Sequence, residues 1–338
     1  MLIELTDNYQ PERILHRDYQ INSIKNVFKN FKEQGHAQNL IVFGVTGSGK
    51  TTTIKKIICD EDNHYFGSGA ITNTSFKTLK SMFDLNCNTY EKLLKDIILK
   101  LKEEPGIIII DELNKIMDIA NLFNNLNTIY RETGCPLILV TNRRTIFEDI
   151  PDDARLTLFL EKVEFESYNA LQLYDIIFER LDLIKDRIKV DIEKNEAGIR
   201  KICAMGGKEA SARIVLNITL KCVLNNNFSL EFIDNIKENL ERDSWKEFLE
   251  NLRPFEKDFL KSLLDLQLRS KNIYPSDLAK DMGKGFTPAR ISQLISAFAG
   301  YGIIDGNCYE NLGRAGGRKR VLKFSNQYIF DTLSELIQ

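Results

Sequence analysis

Two short stretches carry residue types and spacings suited to phosphate chemistry. The first is Gly44-Val45-Thr46-Gly47-Ser48-Gly49-Lys50-Thr51-Thr52, where Gly44 and Gly49 bracket four residues and are followed by Lys and Thr. This is the phosphate-loop pattern. Glycines at 44, 47 and 49 let the backbone take turns that aim successive N–H groups at phosphate oxygens, with Val45, Thr46, Ser48 and Thr52 completing the cradle. Lys50 is placed to reach the β- and γ-phosphates and the Thr51 hydroxyl to hold Mg²⁺. The alternative is a glycine-rich surface loop. A buried strand before it (Leu40–Phe43) and a helix after it (Thr51–Cys59) argue for the nucleotide site.

The second stretch is Asp111-Glu112, at the end of four consecutive isoleucines. Such a run suits a strand covered on both faces of a parallel sheet, and the carboxyl ends of such strands are where open α/β sheets take ligands. Downstream of a phosphate loop this is the Walker B arrangement. Asp111 would position Mg²⁺ through its water shell, and Glu112 would orient and deprotonate an attacking water. Acids at a helix start are the competing reading. A third apolar run, Pro136–Thr141, ends at Asn142, which either hydrogen-bonds that water or the γ-phosphate, or caps the strand.

The elements that must position these groups follow from periodicity. Ile21, Ile24, Phe28 and Phe31 form the apolar stripe of an N-terminal helix, after a loop at 11–17. His64–Phe66 is a short strand; Phe76–Phe83, Tyr90–Lys102 and Lys115–Arg131 are helices; Leu156–Phe165 supplies one or two further strands. From Ser167 to about Glu250 the pattern is helical alone, with helices expected over 169–181, 192–204 and 208–224.

Pro254 marks a boundary. Beyond it, helices are expected at 255–268, 275–282 (Ser276 as N-cap) and 287–299, then a two-stranded wing over 303–324. The wing's tip and return strand carry Arg314, Arg318, Lys319, Arg320 and Lys323 with no acid. Arginines on a glycine-flanked hairpin can enter a minor groove. Arg290, Ser292 and Gln293 of the third helix can reach the major groove or its phosphates. A solvated basic hairpin and a protein-contact surface are the alternatives.

The 338 residues, 43% hydrophobic and 28% charged, describe an ordinary globular chain with room for two or three domains. A net charge of −2 places any nucleic-acid surface locally rather than globally. No apolar run approaches the ~20 residues of a membrane span. The N-terminus lacks a signal-peptide layout, and the six cysteines lack paired short spacings, so a reduced, cytoplasmic chain with no zinc site and no membrane partner is expected.

Taken together, these modules resemble the archaeal origin-recognition/cell-division-cycle initiators of the AAA+ superfamily, over nearly the whole chain. The resemblance is carried by Pro11-Glu-Arg-Ile-Leu-His-Arg-Asp-Tyr-Gln-Ile21, by Tyr168-Asn-Ala-x-Gln-Leu-Tyr174 at the sheet-to-lid junction, and by Gly313-Arg314-Ala-Gly-Gly-Arg318 in the wing. It implies an AAA+ P-loop parallel sheet (1–166), a small helical lid (167–250) and a C-terminal winged helix-turn-helix domain (251–338). It makes Arg17 and its neighbours candidate base-side contacts. Asp153-Ala-Arg155-Leu resembles the family's Asp-Pro-Arg-Val run, which makes Arg155 an arginine finger; a surface salt bridge is the alternative, since Thr157 and Leu158 replace the family's serine pair. Ala212-Arg213-Ile-Val-Leu-Asn217 resembles its Ala-Arg-Arg-Ala-Leu-Asp run and makes Arg213 the lid arginine on the γ-phosphate. A solvent-facing helix arginine is the alternative, because Ala210-Ser211 stands where the family has Gly-Asp.

The function implied is ATP-dependent replication initiation: binding of double-stranded origin DNA, help in loading the replicative helicase, slow ATP hydrolysis with Mg²⁺ as a switch, and association with other initiator copies. The setting would be cytoplasmic, at the nucleoid. Two rivals share the modules: an ATP-gated transcription regulator or signalling ATPase, and a helper ATPase of a mobile element or plasmid. A chain that holds nucleotide without turnover is a third reading.

Overall fold

The computed structural model describes residues 2–209, 211–269, 272–283, 287–301, 303–305, 309–311, 318–325 and 327–337. The chain divides between Ile233 and Asp234 into two compact units, and the division falls within the helix Leu230–Asn251.

The first unit is built on five strands: β1 Leu40–Gly44, β2 His64–Ser68, β3 Ile107–Asp111, β4 Leu137–Thr141 and β5 Glu161–Phe165. Every pairing is parallel, in the order β2-β3-β4-β1-β5. Apolar runs in β1, β3 and β4 are needed because helices cover both faces, and alternate residues go to opposite cores. Ile41, Phe43, Ile108, Ile110, Leu137 and Leu139 join one cluster; Leu40, Val42, Ile107, Ile109, Ile138 and Val140 join the other. The outer strands β2 and β5 are less buried.

Two expectations are corrected. The segment expected as a strand from Leu156 begins as a helix, Asp152–Leu158, and only Glu161–Phe165 is extended. Ala154 and Leu158 are buried one turn apart, Asp152 and Asp153 occupy the first turn, and Phe159 (φ 40°) reverses the chain before β5. The helix expected from Lys115 is interrupted: a 3₁₀ turn, Leu113–Lys115, precedes the helix Ile119–Thr133. Asp118 sits in the break, where its carboxylate accepts from the Ser75 N–H (2.7 Å), the Ser75 hydroxyl and the Tyr90 hydroxyl (3.0 Å).

After β5 come Ala170–Ile184, Glu196–Glu209 and Ala212–Leu224. Asn169 and Gln172 form a capping box at the first of these. Lys208 belongs to the middle helix, not to the third as expected. Gly206 is required there, because a Cβ would run into the Val215 side chain.

In the second unit, the helices Pro254–Arg269, Pro275–Asp281 and Pro288–Gly300 are followed by an antiparallel pair, β6 Tyr309–Asn311 and β7 Arg318–Arg320. Antiparallel bridges Ile273↔Leu322 and Ile304↔Phe324 tie the segment after β7 to the stretches before the second of these helices and after the third. The stacked rings of Phe259 and Phe298, 5.3 Å apart, sit in the core. This is the expected winged-helix arrangement, with two amendments. Ser276 is not the N-cap: Tyr274 holds that position, Pro275 is the first helical residue, and the Asp277 carboxylate accepts from the Tyr274 N–H at 2.9 Å. A closing helix, Gln327–Ile337, buries Ile329 and Leu333 and was not anticipated. Thr287 caps the third helix, its hydroxyl accepting from the Arg290 N–H, and Pro288 takes the first helical position.

Candidate functional site

The carboxyl ends of β1, β3 and β4 deliver the loop 45–49, Asp111-Glu112 and Asn142 to one edge of the sheet. Gly47 (φ +82°) and Gly49 (φ +89°) take the left-handed turns that the loop needs, and Gly49 caps the helix Lys50–Asp60. A Cβ at Gly44 would meet the Phe165 carbonyl at 2.5 Å, so the loop starts pressed against β5.

Two adjoining lobes open here. A polar lobe of about 250 Å³ is lined by Lys50, Thr51, Asp111, Glu112, Asn142 and Arg213, among others. A second lobe of about 120 Å³ is lined by residues including Tyr9, Pro11, Ile14, Leu15, Tyr168 and Arg180. Gly47, Gly49, Thr52 and Arg213 line both. One lobe suits phosphates and the other a base with its sugar.

The chemistry is pre-wired in the polar lobe. Thr51 Oγ1 donates to Asp111 Oδ2 at 2.7 Å, which brings a hydroxyl and a carboxylate together where a hard cation takes oxygen ligands. Asp111 Oδ1 accepts from the Glu112 N–H at 2.8 Å. Lys50 Nζ rests on the carbonyls of Gly44 (2.6 Å) and Val45 (2.9 Å). Burial pushes the Lys50 ammonium down to about 8, against the pull of Asp111 and Glu112. Burial also raises Asp111 above the usual carboxylate range, although the Thr51 hydroxyl and Glu112 N–H oppose it. Both groups gain when charge of the opposite sign enters. Among the described residues no group of three His, Cys, Asp or Glu side chains could hold a metal unaided. Thr51 and Asp111 fit Mg²⁺, which binds through few protein oxygens together with water and substrate phosphates.

Glu112 has φ 54°, and Ser68 Oγ, at the end of β2, donates to its Oε2 at 3.2 Å. Gly69 presses against the Glu112 backbone oxygen, where a Cβ has no room. Ser68 was not read from the sequence. Its signal, a polar residue at the ligand end of a parallel strand, was blurred by the short pattern of β2. Asn142 Nδ2 lies 3.5 Å from Thr46 Oγ1, on the rim.

Arg17 is placed elsewhere than expected. It is buried, and it donates to the carbonyls of Ser48 (3.1 Å), His16 (2.9 Å) and Glu166 (2.7 Å). Its guanidinium lies 3.7 Å from the Tyr168 ring centroid. It staples the underside of the loop to the strand end, while neighbours Pro11, Arg13, Ile14 and Leu15 line the base lobe. Tyr168 faces Gly49 directly, 2.7 Å from where a Cβ would stand.

Arg213 lies at the junction of the lobes, with its Nε 2.5 Å from Asp7 Oδ2. Arg155 lies outside both lobes, paired with Asp152 (3.1 Å) and donating to the Ile150 carbonyl (3.2 Å). In the second unit, Ser292 and Gln293 are exposed, and the Arg290 guanidinium lies over Phe255 at 4.3 Å. Arg318, Lys319 and Arg320 occupy β7, opposite Asn311, Glu310 and Tyr309. Arg320 is half-buried. Arg314 lies outside the described residues.

Residues 33–146 match the family model for the AAA domain. The chain is 25% identical to ORC1-type DNA replication protein 2 of Thermoplasma acidophilum, over 98% of this chain and 90% of that protein. It is 26% identical to the ORC1-type DNA replication protein of Picrophilus torridus, over 95% and 86%. Among solved structures, the Aeropyrum pernix ORC1 protein in complex with DNA superposes with a TM-score of 0.77 at 18% identity, covering 99% of this chain and 96% of that one. The AAA+ fold with a winged-helix unit is therefore shared, and the chain is similar over nearly its whole length to ORC1-type DNA replication proteins.

Proposed function

We propose that this chain is an ATP-switched initiator of DNA replication. The observation that carries the reading is the Thr51–Asp111 contact at the mouth of the phosphate loop, in a chain similar along nearly its whole length to ORC1-type replication proteins. The triphosphate would lie along the loop, with Lys50 leaving the Gly44 and Val45 carbonyls for the β- and γ-phosphates. Mg²⁺ on Thr51 and Asp111 would neutralise charge between those phosphates. Glu112 would orient and deprotonate the attacking water, with Asn142 sharing its alignment and Arg213 contacting the γ-phosphate from the lid. Arg155, on a surface helix, would act as a finger in the cleft of a neighbouring copy.

The same proposal extends to DNA. Arg290, Ser292 and Gln293 would face the major groove, and Arg314, Arg318, Lys319 and Arg320 would bring cations to the minor groove or its phosphates. Nucleotide state would shift the lid, and with it the affinity for origin duplex and for the helicase, by differential binding to two arrangements. The protein would work in the cytoplasm, at the nucleoid.

Two experiments test this. Steady-state ATP turnover in Glu112→Gln should fall on the order of a hundredfold or more; equal residual rates would remove Glu112 from catalysis. Footprinting on genomic fragments should show protection at a replication origin, whereas protection confined to promoters would favour a transcription regulator.

A further inference from the structure

The segment 4–16 touches both the lid and the phosphate-loop helix. At one end the Glu4 carbonyl accepts from Arg180 Nη1 (3.0 Å), and the Glu4 carboxylate pairs with Arg187 (2.6 Å). The Tyr9 ring lies beneath the Arg180 guanidinium at 4.2 Å. Further on, Gln10 Nε2 donates to the Thr52 carbonyl (2.8 Å) and His16 pairs with Asp175 (2.9 Å). Between these anchors Asp7 meets Arg213. Asp7 lines only the base lobe, whereas Arg213 lines both.

In the cleft, both cations aimed at phosphate rest on protein oxygens. Lys50 rests on two carbonyls and Arg213 on a carboxylate. Lys50 and Arg213 also feel each other's charge, so an anion beside Arg213 relieves repulsion until phosphate arrives. We propose that Asp7 is a specificity-determining residue: its carboxylate stands in for the terminal phosphate on Arg213, and a triphosphate must displace it where a diphosphate need not. This rests on the reading of Arg213 as a γ-phosphate ligand. Both side chains are substantially exposed, at 60% for Arg213 and 41% for Asp7. The contact is therefore an exposed ion pair, strong enough to bias the equilibrium and weak enough to give way.

The test is equilibrium titration of fluorescent ATP and ADP into wild type, Asp7→Asn, Arg213→Ala and the double variant. Glu12→Gln serves as a charge control on the same segment, and each melting curve is checked. Asp7→Asn should tighten ATP about two- to fivefold, the range that an exposed ion pair supplies, and should change ADP by less. The gain should vanish in the Arg213→Ala background and be absent in Glu12→Gln. Weaker ATP binding by Asp7→Asn would overturn the proposal, because Asp7 would then orient Arg213 or hold the ribose. Equal gains for ATP and ADP, or gains that persist without Arg213, would also overturn it. If Arg213→Ala keeps the wild-type ratio of ATP to ADP affinity, the Arg213 reading fails and takes this one with it. If Arg213→Ala loses that ratio while Asp7→Asn binds as wild type, only the Asp7 proposal fails.

Discussion

Lys50 and Arg213 point at the same cleft, but the protein holds them in opposite ways. Lys50 belongs to a buried network. The loop is stapled from below by Arg17, its glycines press against Phe165 and Tyr168, and Thr51 is hydrogen-bonded to Asp111. Arg213 belongs to a set of exposed and half-exposed polar pairs (Arg213–Asp7, Arg187–Glu4, His16–Asp175) that join the N-terminal segment to the lid. Buried, hydrogen-bonded groups are costly to rearrange and suit chemistry that needs fixed geometry. Exposed pairs exchange partners at little cost and suit sensing. The cleft thus has one rigid wall and one exchangeable wall.

Substitutions should break the two walls unequally. Arg17→Ala removes a buried guanidinium from three carbonyls and an aromatic face. It should cost about 2–4 kcal/mol in denaturant unfolding of the first unit. Arg17→Lys should recover only part of that, since an ammonium cannot reproduce the planar fork. A smaller effect concerns pH. Lys50 in the folded state is held near 8, below its ordinary 10.5, by burial. Between these values the unfolded chain binds more protons, so Lys50 contributes a stability that rises with pH across that window. Unfolding free energies of wild type and Lys50→Met, measured at intervals from pH 7.5 to 10.5, should diverge in that direction; parallel profiles would contradict it. Smallest is Arg187→Ala. Its pair with Glu4 is half-exposed, and the loss should stay under about 1 kcal/mol by the same unfolding measurement.

The two walls also differed in how legible they were in the sequence. The phosphate loop and Asp111-Glu112 could be read because their chemistry demands fixed spacing beside a strand. The isoleucines that gave away β3 do so because both faces of the sheet are covered. Arg17 was legible as a residue of interest but not in its orientation: a motif names a position, and only packing decides whether the side chain faces the cleft or lies beneath it. Ser68 had only a blurred signal at the end of a short strand and Asp7 had none, since each matters through a partner 44 or 206 residues away along the chain. The misread at Leu156–Leu160 has the same origin. A short run rich in leucine and phenylalanine reads equally as strand or helix until Ala154 and Leu158 find the core one turn apart.

The central claim is that the rigid wall grips a nucleotide triphosphate through Lys50. It is tested most directly by titrating ATP into wild type and Lys50→Ala at pH 7, where the lysine is charged, with circular dichroism confirming that both are folded. The account predicts a loss of affinity on the order of a hundredfold, as expected when a charge-assisted phosphate contact is removed. Equal affinity in the two folded proteins would contradict it.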